Sequence, residues 1–528
     1  MNQYNAYLKD LFAHSDVFKE GHELNIMLQK KFKITPSNAR KVISRACDSG
    51  VITSSKPATF GHGQYVYFNP SAGLDLEVIK NATKKNRPPV YHLLRLLESN
   101  NGITSYYEAL KVTASPLKKE KEKSNSLDEI LSLLKSLKII EVEKDEGITY
   151  ILLSAVSQNS ISLMKEHRNN MAIDCMIIPD IKNWLVKHNF IDNSYVVYRN
   201  KTLLSKGAEH NNYVWDAYAY TNTTGYNTHL KSLNERDEKK TLVVLDIVVH
   251  RIYMSGDVQG FLRRVQAVLS SAKKERKILP IVVYKDISAH AYKQLQGLGF
   301  ILLNLGSIYG GNIHPIIKTV KDIKMSISYD PFASSEIVEN VDNMLSVIDY
   351  SGQRDNLGNI KGDLFESLMY PLVQALHPSH VSIEQGKVLK EKRSDGTSEY
   401  YEYDIIVCDF QNQEIVVYEF KGYKSTAEIP LNPYDKSNTV KWFFNNTLNF
   451  ARKQLQKKYG FPVKGCYITT ARFSKDALEA LNKLNTHKNV KPETHDVYYD
   501  GEKLLELLKE KRQPRIIDVL KKHYLNLE

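Results

Sequence analysis

Hydrophobic and polar positions alternate with two different periods along the chain, and the first 72 residues show both. Three stretches place apolar residues at the three- and four-residue spacing of amphipathic helices. The third stretch begins at Thr35, a good N-cap residue, which is followed by Pro36, and Gly50 supplies its stop. Two strand-like runs follow at 51–53 and 64–68. The pattern predicts three helices and then a two-stranded ribbon.

Three helices followed by a ribbon are typical of a winged helix, and we predict such a module over residues 1–72. In modules of this kind the third helix enters the major groove of DNA. Arg40, Lys41 and Arg45 extend from the flanks of the apolar stripe of this helix, so they are the predicted DNA-binding residues. The alternative is a small helical module for dimerisation or scaffolding.

Residues 86–153 predict a second, less regular winged-helix-like domain. Amphipathic helical patterns occupy 91–97 and 127–137. Apolar runs at 139–142 and 148–151 follow them and indicate a hairpin.

From residue 154 onward, strands and helices alternate. Apolar runs of strand length lie at 241–249, 281–284 and 300–305, with helical patterns at 258–270 and 289–298 between them. Strands separated by helices form parallel sheets, so this rhythm predicts a parallel arrangement.

The rest of the chain predicts two further segments. A polar connector is expected at about 326–350, and a second α/β domain over 350–528, ending in a lysine-rich helical tail. The predicted fold class is therefore an α/β multidomain protein, in which N-terminal winged-helix modules over 1–72 and 86–153 precede α/β domains over 154–325 and 350–528.

Length, composition and charge limit the classes of protein to which the chain can belong. A chain of 528 residues predicts roughly three or four domains. The apolar runs are too short to cross a membrane, the N-terminus lacks the apolar core of a signal peptide, and the four cysteines form no Cys-x-x-Cys pair. We therefore expect a cytoplasmic protein without a disulfide framework. The net charge of +12 suits a partner that carries phosphates.

The chemistry is predicted from a hairpin in the last third of the chain. Two β-rich runs, 403–408 and 414–421, flank a polar stretch. With a two-residue turn at Gln411 and Asn412, Asp404 lies directly opposite Glu419. Lys421 shares a strand face with Glu419 because the two residues are two positions apart.

Two opposed carboxylates with Cβ atoms ~5 Å apart repel each other, and a divalent cation between them removes that penalty. Hard oxygen ligands, with other positions left to water and phosphate, suit Mg²⁺, or Mn²⁺ in its place. Lys421 could then orient a water molecule or stabilise charge that develops on phosphorus. The alternative is that these are solvated charges at strand ends. It is disfavoured because both acids end or interrupt very apolar strands.

Upstream of the hairpin, a helical pattern begins at Lys361 and contains Glu366, a candidate fourth acidic group near the metal. Its core side is apolar. Pro371 lies inside the pattern and leaves the end of the helix open.

Residues 358–480 resemble the catalytic domain of Mrr-type restriction endonucleases in the PD-(D/E)xK superfamily. The matching pieces occur in the family's order and are residues 362–366, Asp404, Glu419-Phe420-Lys421 and residues 465–477. The resemblance implies that Asp404 and Glu419 ligate the metal, that Lys421 assists catalysis and that Glu366 is an auxiliary acid. This chain departs from the family at Phe420, where Gln or Glu is frequent, and in a long insertion at 426–442.

The 154–325 domain has a similar outline, and its possible second site consists of Asp216, Asp246 and His250. Asp246 lies in mid-strand among apolar neighbours, but Val248 stands where a lysine is expected. The segment looks like a PD-(D/E)xK relative with an incomplete or migrated site. Three interpretations remain open: a non-cleaving DNA-binding or structural domain, an active variant that uses His250 or Arg251, and an unrelated α/β fold.

The predicted function is that of a Mg²⁺-dependent endodeoxyribonuclease of restriction or anti-phage defence type. The chain has no phosphate-binding loop of ATPases and no nucleophile elbow of covalent hydrolases. Its expected partners are double-stranded DNA, a second copy in a homodimer, and possible motor or methyltransferase proteins. The alternatives are a DNA-binding regulatory or assembly subunit with vestigial nuclease folds, and a nuclease that cleaves RNA or processes DNA ends.

Overall fold

The computed structural model describes most of the chain. The described residues are 2–14, 17–56, 59–60, 63–71, 76–118, 126–221, 240–271, 277–329, 334–353, 356–393, 398–432 and 439–525. The insertion predicted at 426–442 therefore lies partly outside the described residues. No helix in these ranges is both long and apolar enough to span a membrane.

The chain is a mixed α/β protein whose residues divide by their contacts into two units. Unit 1 comprises Met1–Arg168, Asn189–Arg199 and Ser205–Leu303. Unit 2 comprises Asn169–His188, Asn200–Leu204 and Asn304–Glu528.

The first described part of unit 1 contains three helices and three short strands. These are α1 (Gln3–Leu11), β1 (Phe18–Glu20), α2 (Gly21–Phe32), α3 (Pro36–Asp48), β2 (Thr53–Ser54) and β3 (Val66–Phe68). The predicted start of α3 is confirmed, since the Thr35 hydroxyl accepts a hydrogen bond from the Asn38 amide at 3.3 Å. β3 pairs antiparallel with β2, as the ribbon predicts, and also with β1, which is too short for the hydrophobic pattern to reveal.

After one additional helix, the same order of elements recurs in the next segment. Its members are α4 (Leu76–Asn86), α5 (Pro88–Ser99), β4 (Ile103–Ser105), α6 (Tyr106–Thr113), α7 (Leu127–Ser136), β5 (Ile140–Asp145) and β6 (Ile148–Leu153). β6 lies between β4 and β5, as β3 lies between β1 and β2. The pattern did not predict α6, which begins with a capping box between Ser105 and Glu108.

The α/β part of unit 1 is built on a five-stranded sheet of order β13-β12-β11-β10-β7. The preceding helix, α8 (Ser160–Lys187), divides between the two units after Arg168. The elements of this part are β7 (Val196–Tyr198), β8 (Ala208–His210), β9 (Tyr213–Trp215), β10 (Ala217–Thr221), β11 (Thr241–Tyr253), α9 (Ser255–Ser271), β12 (Ile278–Ile287), α10 (Ala289–Gly297) and β13 (Ile301–Asn304). β11 and β12 are parallel, as predicted. β10 is antiparallel to both of its neighbours, so the sheet is mixed.

Unit 2 is built on a second five-stranded sheet, of order β14-β15-β16-β18-β20. The first part comprises α11 (Leu305–Tyr309), α12 (Ile313–Tyr329), α13 (Ser334–Tyr350), α14 (Gly358–Leu376), β14 (Val381–Lys392), β15 (Ser398–Asp409), β16 (Glu414–Lys421) and β17 (Glu428–Ile429). The strands β14, β15 and β16 form antiparallel pairs.

The second part of unit 2 completes the sheet with parallel pairs between β16, β18 and β20. Its elements are α15 (Val440–Trp442), α16 (Leu448–Ala451), α17 (Lys457–Tyr459), β18 (Val463–Thr469), β19 (Arg472–Phe473), α18 (Lys475–Asn485), β20 (Tyr498–Tyr499), α19 (Gly501–Glu510) and α20 (Pro514–Leu520). π-Helical turns at Phe443–Thr447, Arg452–Gln456 and Lys521–Leu525 extend these helices.

The predicted polar connector at 326–350 is wrong. This stretch contains the end of α12 and all of α13. Val341, Leu345 and Ile348 are fully buried on one face of α13, at the spacing of an amphipathic helix. The polar residues between them are more numerous and obscured this stripe in the sequence. α14 also runs through Pro371 without ending there.

A chain of buried polar groups anchors β16 from the face opposite to Glu419. The Tyr418 hydroxyl lies 2.7 Å from Nε2 of His377 and 3.0 Å from Nε2 of His495. Nδ1 of His377 lies 2.9 Å from the Asp409 carboxylate. Burial, with a further contribution from His377, lowers the pKa of His495 to about 3, so His495 is neutral near pH 7.

Replacing Tyr418 with phenylalanine is expected to reduce the free energy of unfolding by about 1–3 kcal/mol, since it leaves buried histidine nitrogens without a partner. Urea denaturation of the full chain measures this loss. Tyr400→Phe, on the less buried part of β15, is the matched control and is expected to change stability by less than about 0.5 kcal/mol. Equal losses in both variants would contradict the role given to this hydroxyl.

Candidate active site

The register of the β15–β16 hairpin aligns the two predicted metal ligands. The ladder runs from the pair Asp409 and Glu414 to the pair Ile405 and Tyr418. One step further along this register, Asp404 lies opposite Glu419. The register is the predicted one, although the connection is the four residues 410–413 and not a two-residue turn.

The two strands separate at the level of these acids. Beyond Tyr418, the amide of Phe420 donates a hydrogen bond to a side-chain oxygen, Oδ2 of Asp404, at 2.7 Å. This bond fixes the Asp404 carboxylate between the strand ends. Glu419 and Lys421 lie on the same face of β16, whereas Phe420 on the other face packs near Phe365.

The Lys421 ammonium group lies among three oxygen-bearing groups. Its Nζ is 2.6 Å from Oε1 of Glu419, 3.1 Å from the carbonyl oxygen of Phe420 and 3.9 Å from Oδ2 of Asp404. The ammonium therefore balances part of the negative charge of this corner of the sheet. The structure brings together all three residues that the hairpin argument selected.

The donor set fits a small, hard divalent cation. Asp404 and Glu419 offer carboxylate oxygens and Phe420 offers a carbonyl oxygen, which are the ligand types that Mg²⁺ and Mn²⁺ prefer. Within the described ranges, no three or more His, Cys, Asp or Glu side chains cluster as a complete metal site. Mg²⁺ commonly uses only one or two carboxylates and completes its shell with water and phosphate oxygens, so two suffice.

Burial sets the protonation of the site. It raises the pKa of Asp404 to about 7, with Lys421 opposing the rise and Glu419 adding to it. Burial alone would lower the pKa of Lys421, but Glu419 and Asp404 more than offset this and hold it well above its usual range. The lysine is therefore cationic at neutral pH.

Helix α14 brings Glu366 toward this corner. Burial raises the pKa of Glu366 to about 8; Lys201 opposes the rise and Asp404 adds to it. The close approach of the helix depends on Gly422, because a Cβ atom there would lie 2.5 Å from Cβ of Phe365. The glycine next to Lys421 thus lets α14 pack directly against the end of β16.

The sequence patterns did not identify Lys201 as part of the site. Its Nζ lies 2.7 Å from Oδ1 of Asp363 and 3.0 Å from Oε1 of Glu366. Lys201 precedes Glu366 by 165 residues. No periodicity or local motif connects positions this far apart, so no signal in a single sequence could have assigned it.

Unit 1 contains a second acid pair built in the same way. The β10–β11 ladder ends at the pair Ala217 and Leu245, and one step further along this register Asp216 lies opposite Asp246. The Ile247 amide donates to Oδ2 of Asp216 at 2.7 Å, as Phe420 does to Asp404. The structure therefore brings Asp216 and Asp246 together.

At this second pair, cations from other elements surround both acids. Lys111 of α6 contacts the Asp216 carboxylate and lies 3.0 Å from Oδ1 of Asp246. Arg264 of α9 lies 2.9 Å from the same oxygen of Asp246. The Tyr253 hydroxyl donates to the other oxygen of Asp246 at 2.8 Å.

Both acids of the second pair are fully buried. Burial alone would raise the pKa of Asp246, but Lys111 and Arg264 more than offset this and hold it below its usual range. Nζ of Lys111 also lies 3.5 Å from the Ile247 carbonyl, so it takes the place that Lys421 has in the first pair. The missing lysine at Val248 is thus replaced in space by Lys111 of α6.

His250 belongs to a different cluster. Its Nε2 lies 3.6 Å from Oε1 of Glu108, and its ring packs edge-on against His167 at 6.0 Å between centroids. Arg251, the other substitute considered for the missing lysine, forms a two-pronged ion pair with Asp257 at 2.7 and 2.8 Å.

The predicted DNA-binding residues share one surface. Arg40, Lys41 and Arg45 are all exposed on α3, while Ala39 and Ile43 of the same helix are buried. The three cations are therefore available to a partner.

Comparisons with known proteins do not assign a function to this chain. No protein-family model and no curated protein matches the chain. One solved structure, described as a repair endonuclease from Pyrococcus abyssi, is similar to part of this chain. The aligned region covers 44% of this chain and 96% of the other chain, at 11% sequence identity and a TM-score of 0.17. That score is too low to show a shared fold.

Proposed function

We propose that the chain is a divalent-cation-dependent nuclease that hydrolyses phosphodiester bonds in DNA, with its catalytic site in unit 2. One observation carries the proposal: Asp404 and Glu419 meet across a single hairpin, beside the ammonium group of Lys421. The surrounding strands are apolar and buried, so two adjacent carboxylates there are costly unless a cation binds them.

Asp404 and Glu419 are the proposed ligands, with the Phe420 carbonyl as a third oxygen donor. A bound Mg²⁺ or Mn²⁺ supplies positive charge that stabilises the negative charge developing on a phosphate during hydrolysis. Lys421 contacts the same oxygens, and on cation binding its ammonium is free to turn toward the phosphate. There it stabilises the same developing charge by a hydrogen bond.

The second acid pair is proposed to be non-cleaving. Asp216 and Asp246 have the geometry of a catalytic pair, but Lys111 and Arg264 already neutralise them in a fully buried setting. A divalent cation would have to displace these groups. This favours the structural interpretation of the 154–325 domain over the active variant that uses His250 or Arg251.

The N-terminal modules support DNA as the substrate. Two successive segments share the order helix, strand, helix, helix, strand, strand, with the last strand in the middle of each small sheet. That order is the one expected of winged helices, and α3 presents an exposed basic surface. The resemblance to Mrr-type restriction endonucleases supports a role in restriction or anti-phage defence, with a motor or methyltransferase protein as a candidate partner. Cleavage of both strands of a duplex favours a homodimer.

The test offers plasmid DNA and RNA to the purified full-length protein, each with Mg²⁺ and with EDTA. The proposal expects plasmid cleavage with Mg²⁺ and none with EDTA. Cleavage of RNA alone would favour the RNA nuclease. DNA binding without cleavage of either substrate would favour the regulatory subunit. Methylated and unmethylated plasmids, compared side by side, reveal whether base modification controls cleavage.

Replacing Arg40, Lys41 and Arg45 together with alanine is expected to weaken DNA binding and to reduce the slope of log K against log salt by about 3. Fluorescence anisotropy at several salt concentrations measures both quantities. The matched control replaces Lys509, Arg512 and Arg515, which are exposed and carry the same charges in unit 2. An equal change in both variants would indicate a general charge effect and contradict a specific role for α3.

A further inference from the structure

Lys201 joins the site from a distant part of the chain. Its ammonium group lies between two acids of α14, at 2.7 Å from Oδ1 of Asp363 and at 3.0 and 3.1 Å from the two oxygens of Glu366. Asp363 is buried and Glu366 is largely buried, so Lys201 supplies the charge that these acids need.

The segment that carries Lys201 is held in place at two points. The Asn200 side chain accepts hydrogen bonds from the amides of Thr202 and Leu203, at 3.1 and 3.2 Å, which fixes a turn around Lys201. The Thr202 hydroxyl donates to Glu402 of β15 at 2.7 Å. Glu402 lies two residues before Asp404, so the turn is attached directly beside the proposed metal ligands.

Two clusters of similar chemistry therefore lie side by side. In one, Lys421 lies between Asp404 and Glu419, and in the other, Lys201 lies between Asp363 and Glu366. The two clusters are close because Gly422, next to Lys421, packs against Phe365, which is next to Glu366.

The clusters differ in how tightly each ammonium is held. Lys421 lies 3.9 Å from one of its two acids, whereas Lys201 contacts both of its acids within 3.0 Å on a turn that is anchored to β15. A cation entering the Lys421 cluster needs to move only a side chain at a strand end. A cation entering the Lys201 cluster would have to break the three hydrogen bonds that Lys201 donates to its two acids.

We propose that Lys201 is a positioning residue that occupies the place of a second divalent cation between Asp363 and Glu366, so that the site binds one cation and not two. The inference rests on the proposed nuclease function. In this proposal Glu366 pairs with Lys201 and is not a ligand of the catalytic cation.

The test counts Mn²⁺ ions bound per full-length chain by electron paramagnetic resonance of free Mn²⁺ during titration. Wild type and Lys201→Arg are expected to bind one ion, because both keep a cation between the acids. Lys201→Met is expected to bind two. Adding Glu366→Gln to Lys201→Met is expected to restore the count to one, since the second pair of acids is then broken.

The outcomes separate the two proposals. A wild-type chain that binds no Mn²⁺ contradicts the proposed function itself. A wild-type chain that binds two, or a folded Lys201→Met chain that binds one, overturns the role of Lys201 and leaves the nuclease proposal intact. If Lys201→Met does not fold, Glu366→Gln in the wild-type background decides. It is expected to keep one ion, because Asp404 and Glu419 are unchanged, and a count of zero would show that Glu366 is a ligand.

Discussion

Replacing Glu419 with glutamine is expected to reduce DNA cleavage by at least about a hundredfold, which is the order of the loss when one preorganised group that stabilises transition-state charge is removed. The amide has nearly the same shape but no charge, so the cation loses one of its two carboxylate ligands. The hydrogen bond from the Phe420 amide to Asp404 does not involve Glu419 and is expected to persist. Single-turnover cleavage of plasmid DNA measures the loss.

DNA affinity distinguishes a catalytic role of Glu419 from a structural one. The basic surface of α3 is unchanged in this variant, so its affinity for DNA in EDTA should match that of wild type. Glu391→Gln, at an exposed position of β14, is the charge-matched control and should cleave normally. Normal cleavage by Glu419→Gln would contradict the role of Glu419 as a ligand, and loss of DNA binding would assign it to structure.

Replacing Lys111 with methionine is expected to lower the stability of unit 1 by about 3 kcal/mol or more, the usual cost of removing one partner from a buried ion pair. Lys111 contacts both Asp216 and Asp246, and both acids are fully buried. Without the ammonium group, Asp216 keeps hydrogen bonds from the Tyr107 hydroxyl and the Ile247 amide, at 2.8 and 2.7 Å, but its nearest remaining cation among the described residues is the Arg199 guanidinium at 3.8 Å. Urea denaturation of the full chain, followed by circular dichroism, measures the change.

Lys135→Met in α7 is the control for this experiment, because Lys135 is exposed and its loss should change stability by less than about 0.5 kcal/mol. A Lys111→Met chain as stable as wild type would show that the second acid pair does not depend on this lysine. The proposal that buried cations from α6 and α9 neutralise this pair would then be wrong.

The sequence predicted the hairpin well because local patterns determine it. Alternation of apolar residues defines β15 and β16, and the short polar connection between them fixes which residues face each other. The N-cap at Thr35 and the parallel pairing of β11 with β12 were likewise predictable from neighbouring residues. These features depend on interactions within a strand, a turn or a single crossover.

The rest depends on contacts between distant residues. Lys111 and Lys201 reach their acids from segments more than 100 residues away, and no sequence period links them to Asp216 or Glu366. α13 was missed because its buried stripe is narrow among polar residues. The short strands β1 and β4 contain three residues each, too few to show an alternation.

Anomalous X-ray diffraction from crystals soaked in Mn²⁺ locates any cation that Asp404 and Glu419 hold. We expect a single anomalous peak within coordination distance of both carboxylates, with the Lys421 ammonium displaced from between them. No peak at this position, or a peak only at another group of acids, would contradict the proposed cation site.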